Sequence, residues 1–150
     1  MLRDKFNTAM KEAMRSKDRR RLATIRLIMA AVKDRDISVR TESDSKVGDP
    51  EILEILSKMV KQRNDSVKAY DEAGRDELAQ QERDEIEIIK EFLPKQLDDG
   101  EIEVAVKGAI EQTSASGLKD IGRIMATLKG EYSGQMDFAK ASAMAKNLLS

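Results

Sequence analysis

Residues 69–97, AYDEAGRDELAQQERDEIEIIKEFLPKQL, contain the signals that decide the fold. Gly74 marks the end of one helix, because glycine adopts the left-handed conformation of a helix C-terminus without a Cβ clash. Asp76 is placed to cap a second, acidic helix through its carboxylate. Pro94 lacks an amide proton and should end that helix near Phe92. The stretch predicts two helices joined by a tight turn, followed by a junction.

Helical spacing of apolar residues extends this prediction to the whole chain. Helices are expected at about 2–16, from an Asp18 cap to about 37, from an Asp49 cap with Pro50 in the first turn, and at about 76–92. Three shorter helices are expected after Pro94: Asp98 and Glu101 should cap the first, the second should end before Gly130, and Asp137 should cap the last. The predicted fold is all-α, with an N-terminal four-helix domain of long helical hairpins at 1–94 and a C-terminal three-helix bundle at 95–150.

The composition excludes several kinds of site. The chain has no cysteine and no histidine, which excludes thiolate metal sites and removes the commonest general base. No apolar run approaches the roughly 18 residues that a membrane span needs. The first residues lack the apolar core of a signal peptide, so we expect a cytoplasmic protein. We expect no metal, no cofactor and no membrane partner.

Charge is distributed unevenly along the chain. Residues 1–40 have twelve Lys and Arg against five Asp and Glu, whereas residues 41–150 have fifteen against twenty-three. The densest cationic cluster is a candidate phosphate-binding surface, although a solvated turn between helices would have the same composition. Its members are Arg15, Lys17, Arg19, Arg20, Arg21 and Arg26.

A weaker cationic surface is predicted in the last third of the chain. Acidic residues interrupt it, which dilutes its charge. Its members are Lys119, Arg123, Lys129, Lys140 and Lys146. Gly122, within the predicted helix that carries Arg123, is expected to mark a close crossing of two helices, because an interior glycine costs about 1 kcal/mol relative to alanine.

The acidic helix is expected to be structural. Glu82 and Glu85 share one face, but a carboxylate-bridged metal site in a helical bundle also uses histidine. We expect one of these carboxylates to pair with Arg63 or Arg75, and Arg75 to bridge helix ends. No nucleophile with a recognisable base and no phosphate-cradling glycine loop is found, so no catalytic residue is assigned.

Residues 69–97 also match a specific pattern, A-Y-x-x-A-G-R-x-x-L-A-x-x-E-x-x-E-I-x-I-I-x-x-F-L-P-x-Q-L, which includes Gly74, Arg75, Glu82 and Pro94. This pattern resembles the signature of the GatB/YqeY family. The early segment around Asp18 and Arg26 is similar to the first helical hairpin of that family. The segment IGRIM, residues 121–125, is similar to its tail domain, so the resemblance covers nearly the whole chain.

The resemblance implies a function in tRNA handling. The tail domain is similar to one on the B subunit of the glutamyl/aspartyl-tRNA amidotransferase, where it helps to hold tRNA. We therefore expect non-catalytic binding of tRNA or of a tRNA-handling protein complex. One alternative is a protein-interaction adaptor. Another is a carbon–nitrogen ligase with glutamine as amide donor, the label that the family carries.

Overall fold

The computed structural model describes residues 1–39 and 46–150, and within these ranges it contains α-helices, one short 3-10 turn and no strand. The predicted all-α class is therefore confirmed. The α-helices are α1 (Leu2–Ser16), α2 (Arg19–Ser38), α3 (Asp49–Glu72), α4 (Asp76–Lys90), α5 (Asp99–Thr113), α6 (Ile121–Glu131) and α7 (Phe138–Leu149). The described residues form two compact units, Met1–Pro94 with α1–α4 and Lys95–Ser150 with α5–α7.

Two helix ends in the first unit close by the same backbone motif. After α3, Gly74 has φ 70°, its N–H donates to Asp71 O at 3.2 Å, and the Arg75 N–H donates to Tyr70 O at 2.8 Å. These two bonds satisfy carbonyls that the end of a helix leaves unpaired. After α1, Lys17 occupies the equivalent left-handed position with φ 59°. The glycine that the sequence predicts for the first of these turns is thus confirmed.

The second unit follows the predicted caps closely. The Asp98 carboxylate accepts from the Glu101 N–H at 2.8 Å, and the Glu101 carboxylate accepts from the Asp98 N–H at 3.2 Å. This reciprocal pair starts α5. The Asp137 carboxylate accepts from the Ala139 N–H at 2.9 Å and starts α7.

Three predicted helix boundaries are wrong by one residue or more. Gly48, not Asp49, is the N-cap of α3, because the Asp49 carboxylate accepts from the Leu2 N–H at the start of α1. Arg75, not Asp76, is the N-cap of α4, since the turn after Gly74 leads straight into the helix. Helix α6 continues past Gly130 to Glu131.

The core of the first unit lies between α1, α2, α3 and α4. Its fully buried side chains include Ile28, Ile52, Leu56 and Ile89. Phe6 of α1 meets Phe92 edge to face, with ring centroids 5.0 Å apart. That contact joins α1 to the segment just after α4 and holds the α1–α2 hairpin against the rest of the unit.

The core of the second unit is made of small and branched side chains from its three α-helices. It includes Ile102, Val106, Ile124, Leu128 and Ala141, all at most 2% exposed. The start of the unit is fixed to its last loop, because the Leu97 N–H donates to Gln135 O at 2.7 Å. Within the described ranges, no helix is both long and apolar enough to span a bilayer.

Candidate nucleic-acid interface

The turn between α1 and α2 carries the cationic cluster that the sequence predicts. The turn is short because the Asp18 N–H donates to Ala13 O at 3.0 Å while the Asp18 carboxylate caps α2 by accepting from the Arg21 N–H at 3.1 Å. Lys17, the residue before Asp18, has the left-handed backbone conformation. The turn therefore presents its cations on a fixed backbone.

Two arginines of this cluster are engaged inside the protein. Arg20 donates to the Asp84 carboxylate at 2.6 Å, and Arg21 donates to the Glu91 carboxylate at 2.5 Å. Both acceptors belong to α4 or the residue that follows it, so these pairs tie α2 to α4. Their charge is largely compensated by α4, and they orient the hairpin rather than extend its positive surface.

The other four cations of the cluster are exposed. Within the described residues, none of the four is paired with a carboxylate; they are Arg15, Lys17, Arg19 and Arg26. The first three lie within five residues around the turn. Arg26 follows two helical turns after Arg19, about 10 Å along the same face of α2. Each of these four exposed cations can neutralise a phosphate and release its counterions.

The five cations predicted in the second unit divide in a similar way. Arg123 donates to Asp120 at 2.6 Å and Lys140 to Asp99 at 3.2 Å, so both have acidic partners. The Asp120 carboxylate also accepts from the Ser116 N–H at 2.9 Å, and these bonds lower the pKa of Asp120. The remaining three are exposed and have no ion pair among the described residues; they are Lys119, Lys129 and Lys146.

The exposed face of α6 is flat, which sequence reasoning did not predict. Gly122, Ala126 and Gly130 recur every four residues and all are exposed. A Cβ at Gly122 or Gly130 would meet no atom within 4 Å. The predicted helix crossing at Gly122 is therefore wrong, and the glycine faces open space next to Arg123.

One carboxylate of the acidic motif of α4 contributes to the packing of α3 on α4. The Arg63 guanidinium donates to the Glu85 carboxylate at 3.0 Å, and both side chains are about 15% exposed. Partial burial and the neighbouring Glu85 raise the pKa of Glu82. Of the two arginines that the sequence proposed as partners for this acidic face, Arg63 is the one engaged. Arg75 is exposed and joins the helix ends through its backbone N–H, and its side chain bonds none of the described residues, in contrast to the predicted side-chain bridge.

The described residues contain no group of three or more acidic side chains placed to hold a metal ion.

Comparison with known proteins identifies the family of the chain. A family model described as "Yqey-like protein" matches residues 3–149. The chain belongs to the YqeY-like protein family. The predicted resemblance is thereby confirmed over almost its full length.

Curated relatives of this YqeY-like chain are fungal proteins named "Altered inheritance of mitochondria protein 41, mitochondrial". The protein from Vanderwaltozyma polyspora is 27% identical over 146 residues, 91% of this chain and 77% of its own length. Those from Candida glabrata and Clavispora lusitaniae are 34% and 36% identical over 84 residues, 56% of this chain. These two matches span 45% and 46% of the relatives, about half of their length. The names place these relatives in mitochondria, whereas the sequence of this chain predicts the cytoplasm.

Proposed function

We propose that this YqeY-like protein binds tRNA without catalysing a reaction on it, either alone or as an accessory of a tRNA-handling complex. The observation that carries the proposal is the separation of the cationic cluster into two roles. Arg20 and Arg21 are held by α4, and the four exposed cations around them have no acidic partner among the described residues. Fixed helices with uncompensated cations favour docking on a phosphate backbone.

The conformation of Lys17 supports the same proposal. Its φ of 59° is a conformation that glycine adopts at lower cost, because a side chain at this position brings Cβ close to the following carbonyl oxygen. A lysine at this point thus reduces the stability of the hairpin while adding a charge at its tip. The cost of this conformation is consistent with a role for the lysine charge in binding.

The second unit carries a separate set of exposed cations that could also contact a phosphate backbone. Lys119 and Lys129 flank the exposed glycine face of α6, where a phosphate backbone can approach the helix closely. No fully exposed aromatic ring accompanies these cations among the described residues, because Phe138 and Tyr132 are partly buried and pack against the core. Binding is therefore proposed to read backbone and shape, not base identity.

The test is retention of tRNA on a filter at low salt by three proteins. The binding variant carries R15Q, K17Q, R19Q and R26Q. The matched control carries K58Q, K61Q, K68Q and K90Q, which remove the same charge from exposed positions on α3 and α4. The proposal expects the wild type and the control to retain tRNA and the binding variant to lose at least about tenfold in affinity. Absence of retention by the wild type at low salt overturns it.

An adaptor that binds protein instead of RNA would behave differently in a pull-down. Partners held through tRNA are released when the sample is treated with ribonuclease. Partners held by direct protein contact remain on the resin. Retention of the same partners before and after ribonuclease, together with no tRNA retention, would replace the RNA proposal by the adaptor. Release of ammonia from glutamine by the pure protein would instead indicate amide-transfer chemistry.

We also propose that the two compact units are separate domains, with a four-helix domain at 1–94 and a three-helix domain at 95–150. Each unit has its own buried cluster of apolar side chains, which supports independent folding. A fragment of residues 95–150 should give a cooperative thermal transition by circular dichroism. A gradual, non-cooperative melt of the fragment would contradict this division. We further propose that the full-length chain resides in the cytoplasm. Fractionation of cells that express the tagged full chain tests this proposal.

A further inference from the structure

An open groove in the first unit lies between α1 and α2, and Lys46, which precedes α3, also lines it. Its volume is about 750 Å³. Its floor is apolar, with Phe6 and Val32 buried at 2% and 4% exposure and Met29 half-buried. Ile37 forms part of the wall and is 54% exposed. An apolar groove that is open to solvent is a candidate binding site for a partner.

Met29 lines the groove, and α1 carries two further methionines. Met10 and Met14 follow Asn7 at intervals of three and four residues, so the three lie on one face of α1. Met10 and Met29 pack on the same small buried cluster, and Met14 is 52% exposed. Methionine side chains are flexible and polarisable, which lets one groove accept apolar side chains of different shapes.

Among the described residues that line the groove, Arg3, Lys33 and Lys46 outnumber Asp36, which leaves a net positive rim. Arg3 and Asp36 neutralise each other through two bonds of 2.7 and 3.0 Å. Both also bond the backbone of Val47, at 2.9 Å each, which closes one end of the groove. Lys33 and Lys46 line the groove without an ion pair to any described residue. An occupant with acidic residues beside its apolar ones would compensate these two lysines.

We propose that the α1–α2 groove docks an acidic amphipathic helix of a partner protein. A helix fits the groove because it satisfies its own backbone hydrogen bonds, and the described part of this chain offers no strand edge to an extended peptide. Apolar residues at i, i+3 or i+4, and i+7 would occupy the floor. Acidic residues on either side would face Lys33 and Lys46. RNA is disfavoured here since Phe6, the aromatic residue of the floor, is buried and unable to stack on a base.

The proposal stands independently of tRNA binding, and the test uses the full chain with a designed probe. The probe is a fluorescent 16-residue helical peptide with leucine at the anchor positions and glutamate beside them. The matched peptide has lysine in place of every glutamate. Fluorescence anisotropy should show the glutamate peptide binding at least about tenfold more tightly than the lysine peptide, a difference that the variant K33E/K46E reverses.

A second pair of variants locates the site. Ala30 is exposed and lines the groove, so A30W should fill it and weaken peptide binding at least about tenfold. Ala143, an exposed alanine on α7, provides the control A143W, which should bind as the wild type does. Should A30W be poorly folded, ¹³C-methyl spectra of the wild type give the same information. The Met29 signal should move on adding peptide, and that of the buried Met136 should not.

Several outcomes would overturn the proposal. Equal binding of the two peptides would remove the role of the lysines, and full binding by A30W with an unmoved Met29 signal would place the peptide elsewhere. Loss of tRNA retention in A30W without loss of peptide binding would assign the groove to RNA. A wild-type dimer in analytical ultracentrifugation that A30W converts to monomer would assign it to a second copy of this chain.

Discussion

Replacing Lys17 by glycine should raise the stability of the protein and lower its affinity for tRNA. Lys17 has φ 59° and ψ 30°, the left-handed conformation, at the end of α1. This conformation costs a residue with a side chain about 1–2 kcal/mol. Glycine avoids that cost but loses about 0.5–1 kcal/mol more in conformational entropy on folding. The expected net gain in the free energy of unfolding is about 0.5–1 kcal/mol.

The effect on binding has the opposite sign. The substitution removes one exposed cation that has no acidic partner among the described residues. Loss of one phosphate contact should lower the slope of log Kobs against log salt by about 0.7–0.9 in magnitude. Urea unfolding followed by circular dichroism measures the first effect, and tRNA titrations between 50 and 200 mM salt, about the range over which such affinities change most, measure the second.

Ser114 provides a matched control in the second unit. It is the other residue with a side chain at positive φ among the described residues, with φ 53°, and it carries no charge. S114G should therefore stabilise the protein by a similar amount and leave the salt slope unchanged. If K17G were destabilising, or if it bound tRNA with an unchanged slope, the assignment of Lys17 as a strained phosphate-binding residue would be refuted.

Three further predictions follow from bonds and backbone angles in the two units. Arg3 and the Val47 N–H lower the pKa of Asp36 below its usual 3.8, so its contribution to stability is present above that pH and is lost as the pH falls through the lowered value; D36N should destabilise at pH 7, and urea titrations should show this cost shrinking as the pH is lowered below 3.8. G74A should lower the free energy of unfolding by about 1–2 kcal/mol because φ is 70°. G122A, in open space on a helix, should raise it by about 0.5–1 kcal/mol, and urea unfolding that shows both variants changing stability in the same direction would contradict this. E85Q should lower the free energy of unfolding by about 2–3 kcal/mol, because it removes the carboxylate charge that pairs with Arg63 in a mostly buried site. A loss under about 1 kcal/mol, typical of exposed pairs, would show that the pair is solvated.

Helix number and class could be predicted because the signals for them are local. Apolar spacing places the helices, and a carboxylate at Asp98 or Asp137 caps a helix through backbone amides two or three residues away. Gly74 likewise acts within its own turn. Each of these interactions is complete within a few residues, so a single sequence contains all the information that it needs.

Other boundaries could not be predicted because they depend on partners distant in sequence. Asp49 looks like a cap for its own helix, yet its carboxylate bonds the Leu2 N–H, 47 residues away. Gly130 looks like a helix end, but the helix continues because the Tyr132 N–H still reaches Leu128 O at 2.8 Å. Gly122 looks like a packing residue, and only the position of the neighbouring helices reveals that it faces solvent.

The candidate site shows the same contrast between local signals and contacts that are distant in sequence. Composition identified six cations around one turn, and the turn itself follows from local signals. Which of them are available depends on α4: Arg20 meets Asp84 and Arg21 meets Glu91, at separations of 64 and 70 residues. The spacing of residues in the sequence cannot predict ion pairs between residues so far apart. It treated all six cations as equivalent, whereas the structure separates those that hold the hairpin from those that are exposed.

The salt dependence of tRNA affinity tests the central claim most directly. For the wild type, four phosphate contacts at the hairpin predict a slope of log Kobs against log salt of about −3 or steeper. The variant carrying R15Q, K17Q, R19Q and R26Q should lose about three units of that slope, and the control carrying K58Q, K61Q, K68Q and K90Q should keep the wild-type value. Equal slopes for the two variants, or no measurable tRNA affinity of the wild type at low salt, would contradict the claim that these exposed cations bind RNA.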